Sequence, residues 1–377
     1  MSTGASRSGD VLSLRALNRA TLARQLLLRR HEMSAVDAVE HLVGLQAQAP
    51  LPPYFGLWSR LVDFLPAKLA GLLETRQVVR IVLMRGTIHL VSGSDVRMLR
   101  PLIQPVLDRG LATTFGRLLE GMDLTPVVLA GRKLVEERPR TFAELGALLQ
   151  QRWPDRDAAA LAQAIRTTVP LVQVPPRGVW GASGPAAHTS AESWLGAPLE
   201  ADPSPAEMVR RYLAAFGPAS VMDVQKWSGL TRLGAVVKQI GSELRTFTDE
   251  QGRVLYDLPD APRPDPETPA PVRLVAEFDN LLLAHADRTR VIADEHKPGI
   301  FTVNGVIPGA VLVDGFVSGT WRIERDAGRA VVRIRPFVRL TARQRAEICA
   351  EGARLLGFAA PEAATHDVEI ADARKER

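Results

Sequence analysis

Along the first two thirds of the chain, apolar positions at helical spacing give way three times to β-branched runs. In LNRATLARQLLLRR (17–30), Leu22 and Leu26 share one helical face, and arginines close the C-terminal end, where the helix dipole favours cations. Ser34 predicts the cap of a second helix reaching about Gly44, and Pro66 opens a third in PAKLAGLLETR. VVRIVLMRGTIHLVS (78–92) is β-branched on both sides of Arg85-Gly86, the pattern of a hairpin. The order repeats in TPVVLAGRKLVEER, a Thr141–Glu144 capping box, DAAALAQAIRTT and the strand–turn–strand pattern LVQVPPRGVWG. A third copy runs SPAEMVRRYLAAFG, PASVMDVQKWSGL, TRLGAVVKQI and LRTFTDEQGRVLYDL. There Ser220 caps one helix, Ser228-Gly229 turns, and Thr231 begins a candidate recognition helix that carries Arg232 and Lys238. Its wing turns at Glu250-Gln251-Gly252.

The proline-rich APRPDPETPAP (261–271) ends this array. Strand patterns dominate beyond it, with Asn304-Gly305 and Asp314-Gly315 as two-residue hairpin signals. A final amphipathic helix, TARQRAEICAEGARLLG, is expected to cover the sheet, and DARKER is expected to fray. The fold class is therefore α+β: three tandem winged-helix units, each a helix-turn-helix plus a β-wing, then a β-rich C-terminal region with a terminal helix. The expected bounds are 13–107, 120–200, 204–260 and 271–377.

Composition narrows the chemistry. At 46% apolar and 24% charged, the 377 residues suit a globular protein of several units. The excess of +5, mostly Arg, fits phosphate binding or plain solubility. Cys349 stands alone, which excludes disulfide frameworks and Cys-based metal sites and points to a reducing cytoplasm. MSTGASRSGD lacks the apolar core of a signal peptide, and no stretch reaches the roughly 18 apolar residues of a membrane helix. No metal is expected, since His285 and His296 stand isolated, and no cofactor, since VNGVIPG is a hairpin pattern and not a phosphate-cradling loop.

In GLQAQAPLPP (44–53), Gln46 and Gln48 flank one small residue where a helical pattern ends. Amides offer dipoles and donors but no titratable group, so any chemistry here relies on dipoles and a positioned water. The alternative is that both glutamines hydrogen-bond the loop before Pro50. Arg85, Thr87 and His89 on the first wing are candidates for DNA contact near Gln46, although a lone strand histidine is more often structural. HADRTR (285–290) places His285, Arg288 and Arg290 around Asp287, either a phosphate clamp or an ion-paired loop. Asp279 and Asn280 read as a turn cap.

Together, GLQAQ, LMRGTIHLVS, EFDNLLLAHADRTRVI and VLVDGFVSGTWRI resemble the AlkZ/YcaQ superfamily of winged-helix DNA glycosylases over roughly residues 14–357. The resemblance implies three tandem winged helices around a concave DNA-binding face and excision of alkylated purines. Its catalytic motif is Gln, an apolar residue, then Gln or Asp. Gln46-Ala47-Gln48 matches the Gln-ending AlkZ branch, which is associated with unhooking crosslinks and bulky adducts of natural-product genotoxins. YcaQ-like members end the motif in Asp. A guanine alkylated at N7 is cationic and leaves neutral, so no general acid is needed. Amide oxygens aimed at the sugar are then expected to stabilise the oxocarbenium-like cation and orient the water.

The expected function is monofunctional hydrolysis of the N-glycosidic bond of N7-alkylated purines in double-stranded DNA, by a cytoplasmic monomer with an open cleft. Bulky adducts or interstrand crosslinks are the expected lesions, and self-resistance to a genotoxic natural product the role. The alternative is a winged-helix transcriptional regulator without enzymatic activity.

Overall fold

The computed structural model describes residues 10–372. Beyond Asp372 the DARKER stretch lies outside the described residues. The architecture is mixed α+β, and among the described residues no helix is long and apolar enough to cross a membrane.

Helix starts follow the side-chain chemistry. Ser34 Oγ accepts from Asp37 N, and Ser220 and Thr141 complete reciprocal capping boxes with Asp223 and Glu144. The hairpin across 78–92 forms, with Val78–Val82 antiparallel to Ile88–Ser92 around a short 3-10 turn, Met84–Gly86. The 245–257 hairpin also forms, turning at 250–252, and Val11–Leu12 adds to it in parallel.

Sheet organisation differs from three separate wings. Leu171–Gln173 pairs not with the expected GVWG strand but with His188–Ser190. It also pairs with Val78–Val82, so five strands from the first two stretches make one sheet, with Leu45–Gln46 at its edge. The residues between the paired strands form turns and loop, including Pro175, Pro176 and Gly178, which suit turn backbone better than a ladder. Asn304-Gly305 is likewise a turn within a loop. The strand after it, Gly309–Val313, pairs back to Arg273–Val275, while Asp314-Gly315 does join two strands. Helix Ala342–Ala359 lies on this C-terminal sheet, with Gly352 close against Val368.

Two helices depart from the sequence reading. LPPYFGLW, which begins inside GLQAQAPLPP and carries no expected element, forms helix Pro52–Trp58 with its prolines at the first turn. Gly93–Phe115 is one long helix despite Pro101 and Pro105, because Val96, Leu99, Ile103 and Leu107 keep a buried face across them. The core beneath the edge strand includes Val39, Leu45, Ala47, Ile81 and Leu90. Each fully buried Val, Leu or Ile there contributes about 1.5–3 kcal/mol, which anchors the strand backbone.

Candidate active site

Gly44 sets the entry to the site. Its φ of +87 turns the chain onto strand Ile88–Ser92, and a Cβ there would lie 2.5 Å from Val91 Cγ1. The strand then pairs Leu45 with Leu90 and Gln46 with His89, and Ala47 N donates to Ile88 O at 2.7 Å. From beneath, Arg80 Nη2 donates to Ala47 O at 2.7 Å and its Nη1 to Ala49 O at 3.4 Å. Arg80 is buried without a carboxylate partner among the described residues, and desolvation followed by the charge of Arg177 lowers its pKa to about 10. The backbone carrying both glutamines is thus fixed on two sides.

The side-chain amides are oriented by groups that can only donate. Gln46 Oε1 accepts from Arg85 Nη2 at 2.8 Å, and Gln48 Oε1 accepts from Ile88 N at 2.8 Å. A guanidinium and a backbone N–H have no acceptor to offer, so the oxygens must face them. Neither Nε2 has a hydrogen-bond partner among the described residues, and that of Gln46 is not sealed from solvent. Gln46 is 7% exposed and Gln48 is exposed. One lone pair of each oxygen is thus already taken, and the N–H2 groups stand free as donors.

Arg85 sits at the hairpin tip with φ 58, a left-handed conformation unusual for a non-glycine residue. Its Nη1 donates to Trp227 O, 2.5 Å away in helix Val221–Ser228. Gly229, just past that helix, lets the tip approach, since a Cβ there would lie 3.3 Å from Arg85 Cα. Burial, then the charge of nearby Arg288, lowers the Arg85 pKa to about 10, so it remains a cation at neutral pH. Arg288 stacks over Phe301 at 4.2 Å. Neither guanidinium has a carboxylate partner among the described residues.

The other expected contacts divide. Thr87 is half-buried and donates its hydroxyl to Met84 O, closing the tip. His89 is 0% exposed; its Nδ1–H donates to Thr87 O at 3.0 Å, and burial followed by the Arg85 charge drops its pKa to about 3. His285 is 1% exposed and donates to Phe216 O at 3.0 Å. Arg290 is 6% exposed and donates to Pro218 O at 2.8 Å. These three are therefore corrected to interior residues: each is buried with one nitrogen on a backbone carbonyl, while His89 Nε2 is buried without a partner among the described residues. Asp287 pairs with Arg253 at 2.5 Å and accepts from Thr289, so HADRTR is an ion-paired loop in which Arg288 stays half-buried, near enough to Arg85 for its charge to lower that pKa. Thr231, Arg232 and Lys238 are exposed, but the helix begins at Gly234 rather than Thr231, and Arg232 takes a left-handed φ of 64 in the turn before it. Among the described residues no three His, Cys, Asp or Glu cluster as metal ligands.

Asp279 and Asn280 do more than cap a turn. Asp279 accepts from Leu281 N and also forms a buried two-bond ion pair with Arg60 at 2.8 and 2.9 Å. Asn280 Nδ2 donates to Gly44 O at 2.7 Å. The signal in the sequence was a polar pair set between apolar runs.

A family model described as DNA glycosylase AlkZ-like matches residues 39–358, a span that holds both glutamines, Arg85 and Arg288. The chain belongs to the AlkZ-like DNA glycosylases. It is similar to an interstrand DNA cross-link repair glycosylase of Streptomyces sahachiroi, at 27% identity over 342 residues, 80% of this chain and 85% of that protein. Among solved structures it resembles Streptomyces sahachiroi DNA glycosylase AlkZ with a TM-score of 0.78 and 22% identity, covering 96% of this chain and all of that one. That likeness speaks for the fold. As an AlkZ-like DNA glycosylase the chain is an enzyme with a DNA substrate, and the regulator reading is set aside.

Proposed function

We propose that this enzyme hydrolyses the N-glycosidic bond of N7-alkylated purines in duplex DNA, with Gln46 and Gln48 as catalytic residues. Bulky adducts and interstrand crosslinks are the substrate class, and self-resistance to a genotoxic natural product the role. The observation that carries this reading is a pair of neutral amides held by hydrogen bonds, one of them to the Arg85 guanidinium, which has no carboxylate partner among the described residues. Neither an amide nor a guanidinium is a general acid at neutral pH, and an N7-alkylated purine needs none. The C1′–N9 electron pair moves into the purine ring and neutralises its charge. Water then bonds to C1′ and releases a proton to solvent. Arg288, Arg232 and Lys238 supply phosphate contacts, and a monomer suffices.

A duplex carrying one N7-alkylguanine, incubated with the protein and then treated with alkali, tests the proposal. Strand breaks at the lesion are expected, and an intact strand would reject it.

A further inference from the structure

We infer that Arg85 is a positioning residue that turns the Gln46 amide so that its N–H2 group, not its oxygen, meets the substrate, where it donates to N3 of the departing purine. The inference rests on the proposed excision of N7-alkylated purines.

Arg85 is a cation that can only donate, and its Nη2 lies 2.8 Å from Gln46 Oε1. The guanidinium draws electron density from that oxygen and puts a positive charge behind it, which weakens it as a stabiliser of a sugar cation. The same bond leaves Nε2, polarised as a donor, as the part of Gln46 free to meet a ligand. Arg85 itself is held from the far side by Trp227 O at 2.5 Å, and its left-handed φ of 58 aims the side chain between these two acceptors. Strain kept at one residue with two specific partners is a mark of a positioned site.

The leaving group supplies the matching acceptor. As C1′–N9 breaks, its electron pair enters the ring, and N3, bonded to the carbon next to N9, gains electron density. N3 keeps a lone pair in both guanine and adenine, so a donor there serves purines as a class. The hydrogen bond strengthens as the bond breaks, so it raises the rate of the chemical step more than it raises affinity. No proton transfers in this step. The base leaves neutral, and the water that attacks C1′ loses its proton to solvent.

The test is single-turnover excision of N7-methylguanine from a duplex, with DNA affinity measured in parallel. Gln46→Glu keeps the shape and the acceptor for Arg85 but presents an oxygen outward. It should slow excision about 100-fold, as Gln46→Ala does, with affinity unchanged. Arg85→Met should slow excision similarly, and Arg85→Lys should recover part of the loss. On a lesion with C–H in place of N3, the wild type should be slow and Gln46→Ala should slow it no further. Wild-type or faster excision by Gln46→Glu would overturn the inference. So would a full Gln46→Ala defect on the lesion lacking N3. Because Gln46→Glu retains its bond to Arg85, it decides the question even if the Arg85 variants fold poorly. A wild-type enzyme that leaves N7-methylguanine intact rejects the proposed activity instead.

Discussion

Asn280 donates its side-chain amide to the carbonyl of Gly44 at 2.7 Å, joining positions 236 residues apart. Gly44 stands two residues before Gln46 and holds φ +87 against Val91, so this bond fixes the path of the strand that carries the amide. Gly44→Ala should cost about 2–4 kcal/mol, from the left-handed backbone and the overpacked Cβ. Asn280→Ala leaves a buried carbonyl unpaired and should cost about 1–3 kcal/mol. Denaturant unfolding measures both, and wild-type stability in Gly44→Ala would contradict the strain assigned to this turn.

The neighbouring pair Arg60–Asp279 is sealed from water and doubly hydrogen-bonded. Removing either partner strands the other charge, so Asp279→Ala and Arg60→Ala should each cost about 3–5 kcal/mol. The double mutant should lose much less than the sum, because no lone charge remains. A double-mutant cycle by denaturant unfolding reads this coupling, and additive losses would deny the pair.

These two supports mark where sequence reading stops. The hairpin at 78–92 was legible because β-branched residues flank an Arg-Gly turn, and the Thr141 and Ser220 caps because capping is local chemistry. The glutamines were legible as neutral groups at a helix exit, but their orientation was not. It depends on Arg85 and on Ile88 N–H, about 40 positions away. Burial of His285 and Arg290 was illegible for the same reason, since their acceptors, Phe216 O and Pro218 O, come from backbone brought in by the fold. Pairing of Val172 with Ile81 merges two expected wings into one sheet, and nothing in either segment alone encodes it.

Acid should destabilise the protein well before its carboxylates protonate. Burial lowers His89 and His285 to about 3 in the folded state, against an ordinary value of about 6.5. Between pH 6.5 and 3 the unfolded chain therefore binds more protons than the folded one, and stability falls as pH falls through that window. Melting temperature between pH 7.5 and 4.5 should decline less steeply in His89→Asn, measured relative to its own value at pH 7.5. A slope unchanged in that variant would place the acid sensitivity elsewhere.

Two arginines of one loop should behave differently on DNA. Arg288 lies half-buried over Phe301 with no carboxylate partner among the described residues, while Arg290 donates inward to Pro218 O. Arg288→Ala should reduce the salt slope of duplex binding by about one unit. Arg290→Ala should leave the slope unchanged and lower the melting temperature. Equal slopes for wild type and Arg288→Ala would remove Arg288 from the phosphate contacts.

Both glutamines should matter to excision far more than to folding. Gln48 is exposed, and losing its bond to Ile88 N should cost about 0.5–1.5 kcal/mol. Gln46→Ala leaves Arg85 Nη2 without its acceptor, a loss of about 1–3 kcal/mol, which a folded domain of this size tolerates. The amide dipoles act chiefly as charge moves across the breaking bond, so each alanine should slow single-turnover excision by about tenfold to a thousandfold. If both amides hold one geometry, the double mutant should fall short of the product of the single defects. Excision on a defined N7-alkylguanine duplex, with thermal melting alongside, separates the two roles. Wild-type rates in both single mutants would end the catalytic assignment. Rate losses that merely track melting temperature would return the glutamines to a structural role in the loop before Pro50.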